Sequence, residues 1–304
     1  MIPRPRPEWF RLRRTMMFMN AQKPGLIRDA YIYGCDSIML DLEDAVAENQ
    51  KDAARFSLYH ALKSVDYGDT EVIVRINGLD TPHWQEDVRV CVAGGADGIR
   101  IAKCESAQDV LTVEKAVEAA EEEFGAEKGR TLLMAALESP KGILNAYEIA
   151  AASERMFGIA ISGGDLRKSM QTSPQPDGID MLYARGHVVM AARAAGVQCF
   201  DTVFTDLNDE EGFEREVRMN KAMGFDGKSL INPRQIRYVH ETYAPTEKEV
   251  LYAEKVVRTI RENTAKGLGV FTVDGKMIDI AFLPGAERTL RLAKAYGMYE
   301  GDLV

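Results

Sequence analysis

SIMLDLEDAVAENQKDAARFSLYHALKSVDYGDTEVIVRINGLDTPHWQEDVRVCVAGGADGIRIAK, residues 37–103, holds three short apolar runs, SIMLDLED, EVIVRIN and GIRIAK, separated by polar, helix-patterned segments. From Asp52 to Lys63 apolar residues recur at i, i+3 and i+4 with charges between them, the pattern of a helix with one buried face. Gly94 follows a second helical stretch just before the third run, where a left-handed helix cap is expected. Such alternation is the signature of a parallel α/β architecture. The same rhythm extends in both directions: TMMFMN from Thr15 upstream, then LLMAALES from Leu132, MFGIAISGGD from Met156, CFDTVFTD from Cys199 and GKSLIN from Gly227 downstream. Helical patterns over Ala107–Phe124 and Glu214–Gly224, and glycines at 34, 125, 196 and 224, punctuate the units. Eight runs, about 30 residues per unit, predict a closed (β/α)8 TIM barrel. A doubly wound open sheet is the rival, weakened because no G-x-G-x-x-G opens the first unit.

Beyond the barrel, Glu247–Thr264 reads as a long helix, Asp274-Gly275 as the turn of a hairpin, and Gly285 to Tyr296 as a last helix. The expected organisation is a basic arm over 1–13, a barrel over 14–245, and an extension over 246–304 that packs on a neighbouring protomer. The stretch Met1 to Arg14 carries five arginines and three prolines with no apolar core, so it is neither a secretory signal nor an amphipathic helix. It reads as a solvated tail or packing strap, or as a docking arm, Arg4 to Arg14, for an acidic carrier protein.

Across 304 residues, 38 Lys and Arg stand against 47 Asp and Glu, a net charge of −9 with 46% hydrophobic residues. That balance suits a folded enzyme-sized chain and argues against general nucleic-acid binding, which needs a basic face. The longest apolar runs fall far short of the ~20 residues of a membrane helix. Cys35, Cys91, Cys104 and Cys199 are scattered and read as reduced core thiols, pointing to a cytoplasmic protein.

In a barrel of this class the chemistry gathers at the carboxyl ends of the strands. The residues ending the eight runs are Asn20; Asp41, Glu43 and Asp44; Arg75 and Asn77; Lys103; Glu138; Asp165; Asp201, Thr202 and Asp206; and Ser229 and Asn232. Glu138 and Asp165, on adjacent strands, are hard oxygen ligands suited to Mg²⁺, and two protein ligands leave room for substrate oxygens. Zinc is disfavoured because His60, His83, His187 and His240 all fall on helices or helix starts rather than strand ends. Arg75, on an otherwise apolar strand, can clamp a carboxylate with two parallel hydrogen bonds, and Asp41, Glu43 and Asp44 offer it partners in an empty site. Gly163 and Gly164 would let backbone approach a ligand. Lys103 and Asn232 complete the expected substrate-facing set. The long insertion Leu166 to Asp180, with Pro174, Pro176 and Gly178, is a candidate active-site loop.

DLEDAV (41–46), VRINGLDT (74–81), AALESPKGI (135–143), FDTVFTD (200–206), GFDGKSLINPRQI (224–236) and YAPTEKEV (243–250) together resemble the citrate lyase β subunits. These form a branch of the Mg²⁺-dependent malyl-CoA and citramalyl-CoA lyase superfamily, and the likeness runs from Arg14 to Lys294. The resemblance implies a TIM barrel, a homotrimer, and cleavage of a 3-hydroxy-3-carboxylate thioester to a 2-oxo acid and an acetyl thioester. It further implies α and acyl carrier (γ) subunits as partners. By the same resemblance Glu138 and Asp165 are metal ligands, Arg75 grips the substrate carboxylate, Asp41, Glu43 and Asp44 lie near the metal, and Asp279 in KMID is a tail acid/base that reaches a neighbouring protomer's site. Stand-alone cleavage of citramalyl-CoA, malyl-CoA or a related thioester, and a weakly active scaffold, are the alternative readings. The chain departs from the family pattern in MNAQKPG (19–25) for a Pro-Gly step, SGGDL (162–166) for GAEDY, and QTSPQPDG (171–178) for RTERSPEG.

Overall fold

The computed structural model describes residues 11–304 apart from 266 and 268, so the expected arm over 1–13 lies outside the described residues except at its end. Eight parallel strands close into a barrel in chain order: β1 Thr15–Asn20, β2 Ser37–Asp41, β3 Glu71–Ile76, β4 Gly98–Ile101, β5 Leu132–Leu137, β6 Met156–Ile161, β7 Gln198–Asp201 and β8 Gly227–Leu230. Seven begin at the predicted residue. The seventh begins one earlier, at Gln198, whose side chain is drawn into the barrel floor.

That floor is built by the end of the arm. Arg13 is buried, donating through Nε and Nη2 to Glu71 at 2.7 Å each and through Nη1 to Gln198 at 2.5 Å, with its guanidinium 4.2 Å from the centre of the Phe157 ring. Arg14 pairs with Asp36 at 2.6 Å, and Arg11 donates to the Asp69 carbonyl. At residues 11–13 the chain is therefore a strap packed on the barrel, one of the two forms expected for the arm, and not a solvated tail. A buried guanidinium is tolerated only when such charge-assisted bonds surround it. Above it Met16, Met39, Ile73, Met134, Phe157 and Phe200 fill the interior.

Local signals set the helices. Ala107–Phe124 starts at a capping box between Ser106 and Asp109 and ends at Gly125 in the left-handed region,. The helix Trp84–Gly94 is capped by Gly95 instead of Gly94. Gly94 serves packing, since a Cβ there would lie 2.5 Å from Leu62 Cδ1.

Two compact units divide at Thr242/Tyr243. The second, Tyr243–Val304, comprises the helix Glu247–Thr264, an antiparallel pair β9 Val270–Val273 and β10 Lys276–Asp279, and the helix Leu283–Ala295. Asp274 and Gly275 both have positive φ, as the tight hairpin requires. Its interior is Val250, Ala253, Val257, Leu290 and Tyr299. No helix among the described residues is long and apolar enough to cross a membrane.

Candidate active site

Register decides what faces the barrel interior. Asp41 pairs with Arg75 across β2 and β3, and Arg75 with Arg100 across β3 and β4. All three continue the inward parity of Met39, Ile73 and Met134,. Arg75 donates Nε and Nη2 to the two oxygens of Asp41 at 2.7 and 2.6 Å, and its Nη1 lies 3.1 Å from Glu43. Burial opposes charge on Asp41, but the Arg75 fork and the backbone N–H groups of Glu43 and Ala45 outweigh it and hold the carboxyl below its ordinary value,. Lys103 adds a second cation, 2.8 Å from Glu43 Oε1 and 3.9 Å from the exposed Asp44. Its φ of 50°, uncommon for a residue with a Cβ, turns the chain sharply after β4.

Glu138, one residue past β5, is only 3% exposed, and among the described residues neither carboxylate oxygen has a hydrogen-bond partner. Burial pushes its pKa up to about 7, only partly opposed by Arg100 and Arg75. A buried carboxylate with two free oxygens is a site prepared for a cation. It lines a cavity of about 810 Å³ together with Lys103, Glu105, Lys141, Asp165 and Lys168. Asp165, half-buried near the start of the helix Gly163–Met170, has no ion-pair or hydrogen-bond partner among the described residues. No group of three or more metal-ligating side chains gathers among the described residues, so a metal here would draw on two carboxylates and on oxygens from outside the protein.

Other expected residues sit differently. The Gly163 N–H donates to Thr202 Oγ1 at 2.8 Å, and an added Cβ would lie 2.8 Å from that oxygen. Gly163 thus seats the helix bearing Asp165 against the end of β7, which explains the residue without a ligand. Gly164 is exposed, with no atom within 4 Å of an added Cβ. Asn232 lines a separate crevice with Asp206 and Tyr238, where its Oδ1 accepts from the Arg234 N–H. Asp279 ends β10 in the second unit and accepts from the Ala281 N–H. The insertion splits in function: its helical part carries Lys168 and Ser169 into the Glu138 cavity, whereas Pro174–Gly178 lines a neighbouring cavity of about 670 Å³ with Arg215 and Met219. Asp201 does not face the site. It is fully buried with Arg185, Asn220 and Lys228.

Sequence reading missed Arg100 and Phe18. Phe18 places its ring 5.1 Å from the Arg75 guanidinium and 5.2 Å from that of Arg100, a distance at which the ring face attracts both cations. The signal that singled out Arg75, one arginine in an apolar strand, is equally present in GIRI (98–101).

Residues 14–233 match the HpcH/HpaI aldolase/citrate lyase family. The chain belongs to this family. Residues 179–298 also match the C-C bond lyases of the TIM-barrel fold. The chain is 51% identical to the citrate lyase subunit beta of Leuconostoc mesenteroides subsp. cremoris over 292 residues, covering 96% of this chain and 97% of that one. Identity to the citrate lyase subunit beta of Escherichia coli K12 is 46% over 290 residues, covering 95% and 96%. Among solved structures, protein CitE from Mycobacterium tuberculosis in complex with magnesium, acetoacetate and coenzyme A is similar at a TM-score of 0.72 and 30% identity, over 92% of this chain and 98% of that one. As a member of the aldolase/citrate lyase family, the chain is a carbon-carbon lyase.

Proposed function

We propose that the protein is a citrate lyase β subunit, cleaving a citryl thioester to oxaloacetate and an acetyl thioester with Mg²⁺ held by Glu138 and Asp165. The observation that carries this reading is Glu138, buried at the end of β5 with both oxygens unpartnered, in a chain about half identical to citrate lyase β subunits along nearly its whole length. The donor set fits the metal: two hard carboxylates lining one cavity, with further positions for oxygens of substrate and water. When bound, Mg²⁺ supplies Lewis-acid charge to the substrate's hydroxyl and carboxylate oxygens.

The chain's own residues do the rest. Arg75 exchanges the Asp41 fork for a substrate carboxylate, fixing the substrate and countering charge that develops on the 2-oxo acid. A carboxylate removes the hydroxyl proton; the O–H electrons become the new C=O; the C–C bond breaks, and its electrons form the acetyl-thioester enolate, which is then protonated at carbon. Glu43, poised between Arg75 and Lys103, and Asp279 of the second unit are the candidates for that proton, with Lys103 lining the cavity and the exposed Asp44 beside it.

Partners follow from the same reading: a carrier-bound substrate on an acyl carrier (γ) subunit, an α subunit, and a homotrimer in which residues 246–304 pack on a neighbouring protomer. Val270, Met277, Ile280 and Phe282 are exposed on the second unit and support a covered surface there. The four cysteines, all buried and outside any disulfide among the described residues, support a reducing compartment such as the cytoplasm.

Oxaloacetate release from citryl-CoA, run beside citramalyl-CoA and malyl-CoA with Mg²⁺ and with EDTA, tests the reading. Metal-dependent cleavage favouring citryl is expected, and Glu138→Ala should abolish it. Preference for another thioester would move the chain to the stand-alone lyases, and full activity of the Ala variant would sink the metal site.

A further inference from the structure

We propose that Arg100 is a second carboxylate-binding residue of the site, selecting substrates whose cleavage releases a 2-oxo dicarboxylate over those that release a 2-oxo monocarboxylate. The inference rests on the lyase reading above and adds to it the residue that discriminates.

Arg100 is 1% exposed, and its side chain crosses the barrel from β4. Nη2 donates to Ser162 Oγ at 2.9 Å and Nη1 approaches Ser229 Oγ at 3.5 Å, while Nε has no partner among the described residues. The other fully buried arginines are each locked to a carboxylate, Arg13 to Glu71 at 2.7 Å and Arg185 to Asp201 at 3.0 Å. Arg100 forms no such ion pair among the described residues. Burial, reinforced by the neighbouring Arg75 charge, lowers its pKa to about 10, so the guanidinium remains charged at neutral pH. A buried cation bonded only to hydroxyls is costly unless an anion arrives.

Its position says which anion. Arg100 pairs with Arg75 across the strands, shares the Phe18 ring with it, and feels the charge of Glu138. Ser162, which holds it, directly precedes the helix that carries Asp165. Citryl thioester has two free carboxylates, whereas citramalyl and malyl thioesters have one. Arg75 serves the carboxylate shared by all three, and Arg100 serves the additional one of citryl. A site with a buried donor for a polar group rejects the analogue that lacks it far more strongly than apolar contacts can.

The test uses the full chain with Arg100→Gln and Arg100→Met, saturated with Mg²⁺, reading kcat/KM for citryl-CoA and citramalyl-CoA and calorimetric binding of oxaloacetate and pyruvate. Removing one member of a buried charge pair predicts a loss of at least about 30-fold for citryl-CoA and for oxaloacetate, with citramalyl-CoA and pyruvate changed by less than about threefold. Equal losses for both thioesters and both oxo acids would overturn the proposal, as would wild-type protein that binds the two oxo acids alike. Ser162→Ala leaves the guanidinium in place and removes its anchor. Should the Arg100 variants fail to fold, the same skew in this variant carries the proposal and an unskewed profile refutes it. Failure of citryl cleavage in wild-type protein would count against the lyase reading, while the oxo-acid binding arm would still decide the role of Arg100.

Discussion

Glu43 and Asp279 are the two candidates for moving the proton, and the fold gives them different surroundings. Glu43 is buried inside the ion cluster of the site, whereas Asp279 caps a short turn in the second unit. If Glu43 takes the hydroxyl proton, Glu43→Gln should lower kcat by about 10²- to 10⁴-fold with KM changed little, while Asp279→Asn stays near wild type. A large fall confined to the Asp279 variant would transfer the role to the tail. Arg75 was legible because one arginine interrupts an apolar strand. Arg100 carries the same signal but was passed over, since only the closed register shows that its side chain points inward beside Arg75. All four cysteines are buried, as the sequence suggested, and burial pushes Cys35 and Cys104 up to about 12, which keeps those two thiols protonated.

The helix Gly163–Met170 links the insertion to the metal site, and its two leading glycines separate cleanly. Gly163 faces Thr202 at contact distance, while Gly164 faces open space. Gly163→Ala should push the helix off β7, misplace Asp165 and weaken Mg²⁺ binding by about 10-fold or more, the usual cost of disturbing the support of a ligand. Gly164→Ala should bind Mg²⁺ as wild type does, and titration calorimetry on both variants reads the difference; equal affinities would show that helix seating does not set the site. The elements were largely visible in advance because buried parallel strands are short apolar runs and helices carry their own caps. Boundaries slipped where polar residues belong to an element. Gln198 opens β7, and the helix expected from Glu214 starts at Glu210 behind the Asp209 cap.

At the scale of the whole molecule, two buried ion clusters brace the barrel, one around Arg13 beneath the interior and one around Asp201. Burial disfavours the Asp201 charge, but Lys228 and Arg185 more than compensate and hold its carboxyl well below the ordinary value. A depressed folded-state pKa contributes stability that is present above the unfolded value, about 3.9, and is lost as pH falls below it toward the folded one. Asp201→Asn should therefore cost about 3–5 kcal/mol near neutral pH by leaving Arg185 and Lys228 with less counter-charge. It should also flatten the acid limb of a urea-unfolding series, and an unchanged acid limb would exclude the cluster as its source. The sequence by itself determined the barrel, all but one of its strand starts, the hairpin of the second unit and the types of group at the strand ends, because periodicity, caps and turn chemistry act within a few residues. Tertiary structure alone decided which of those groups meet. It brought Asp41, Arg75, Arg100 and Glu138 together, sent Asn232 and Asp201 elsewhere and drew Arg13 into the floor, because the inward side of each strand and the course of each loop are fixed only when the sheet closes.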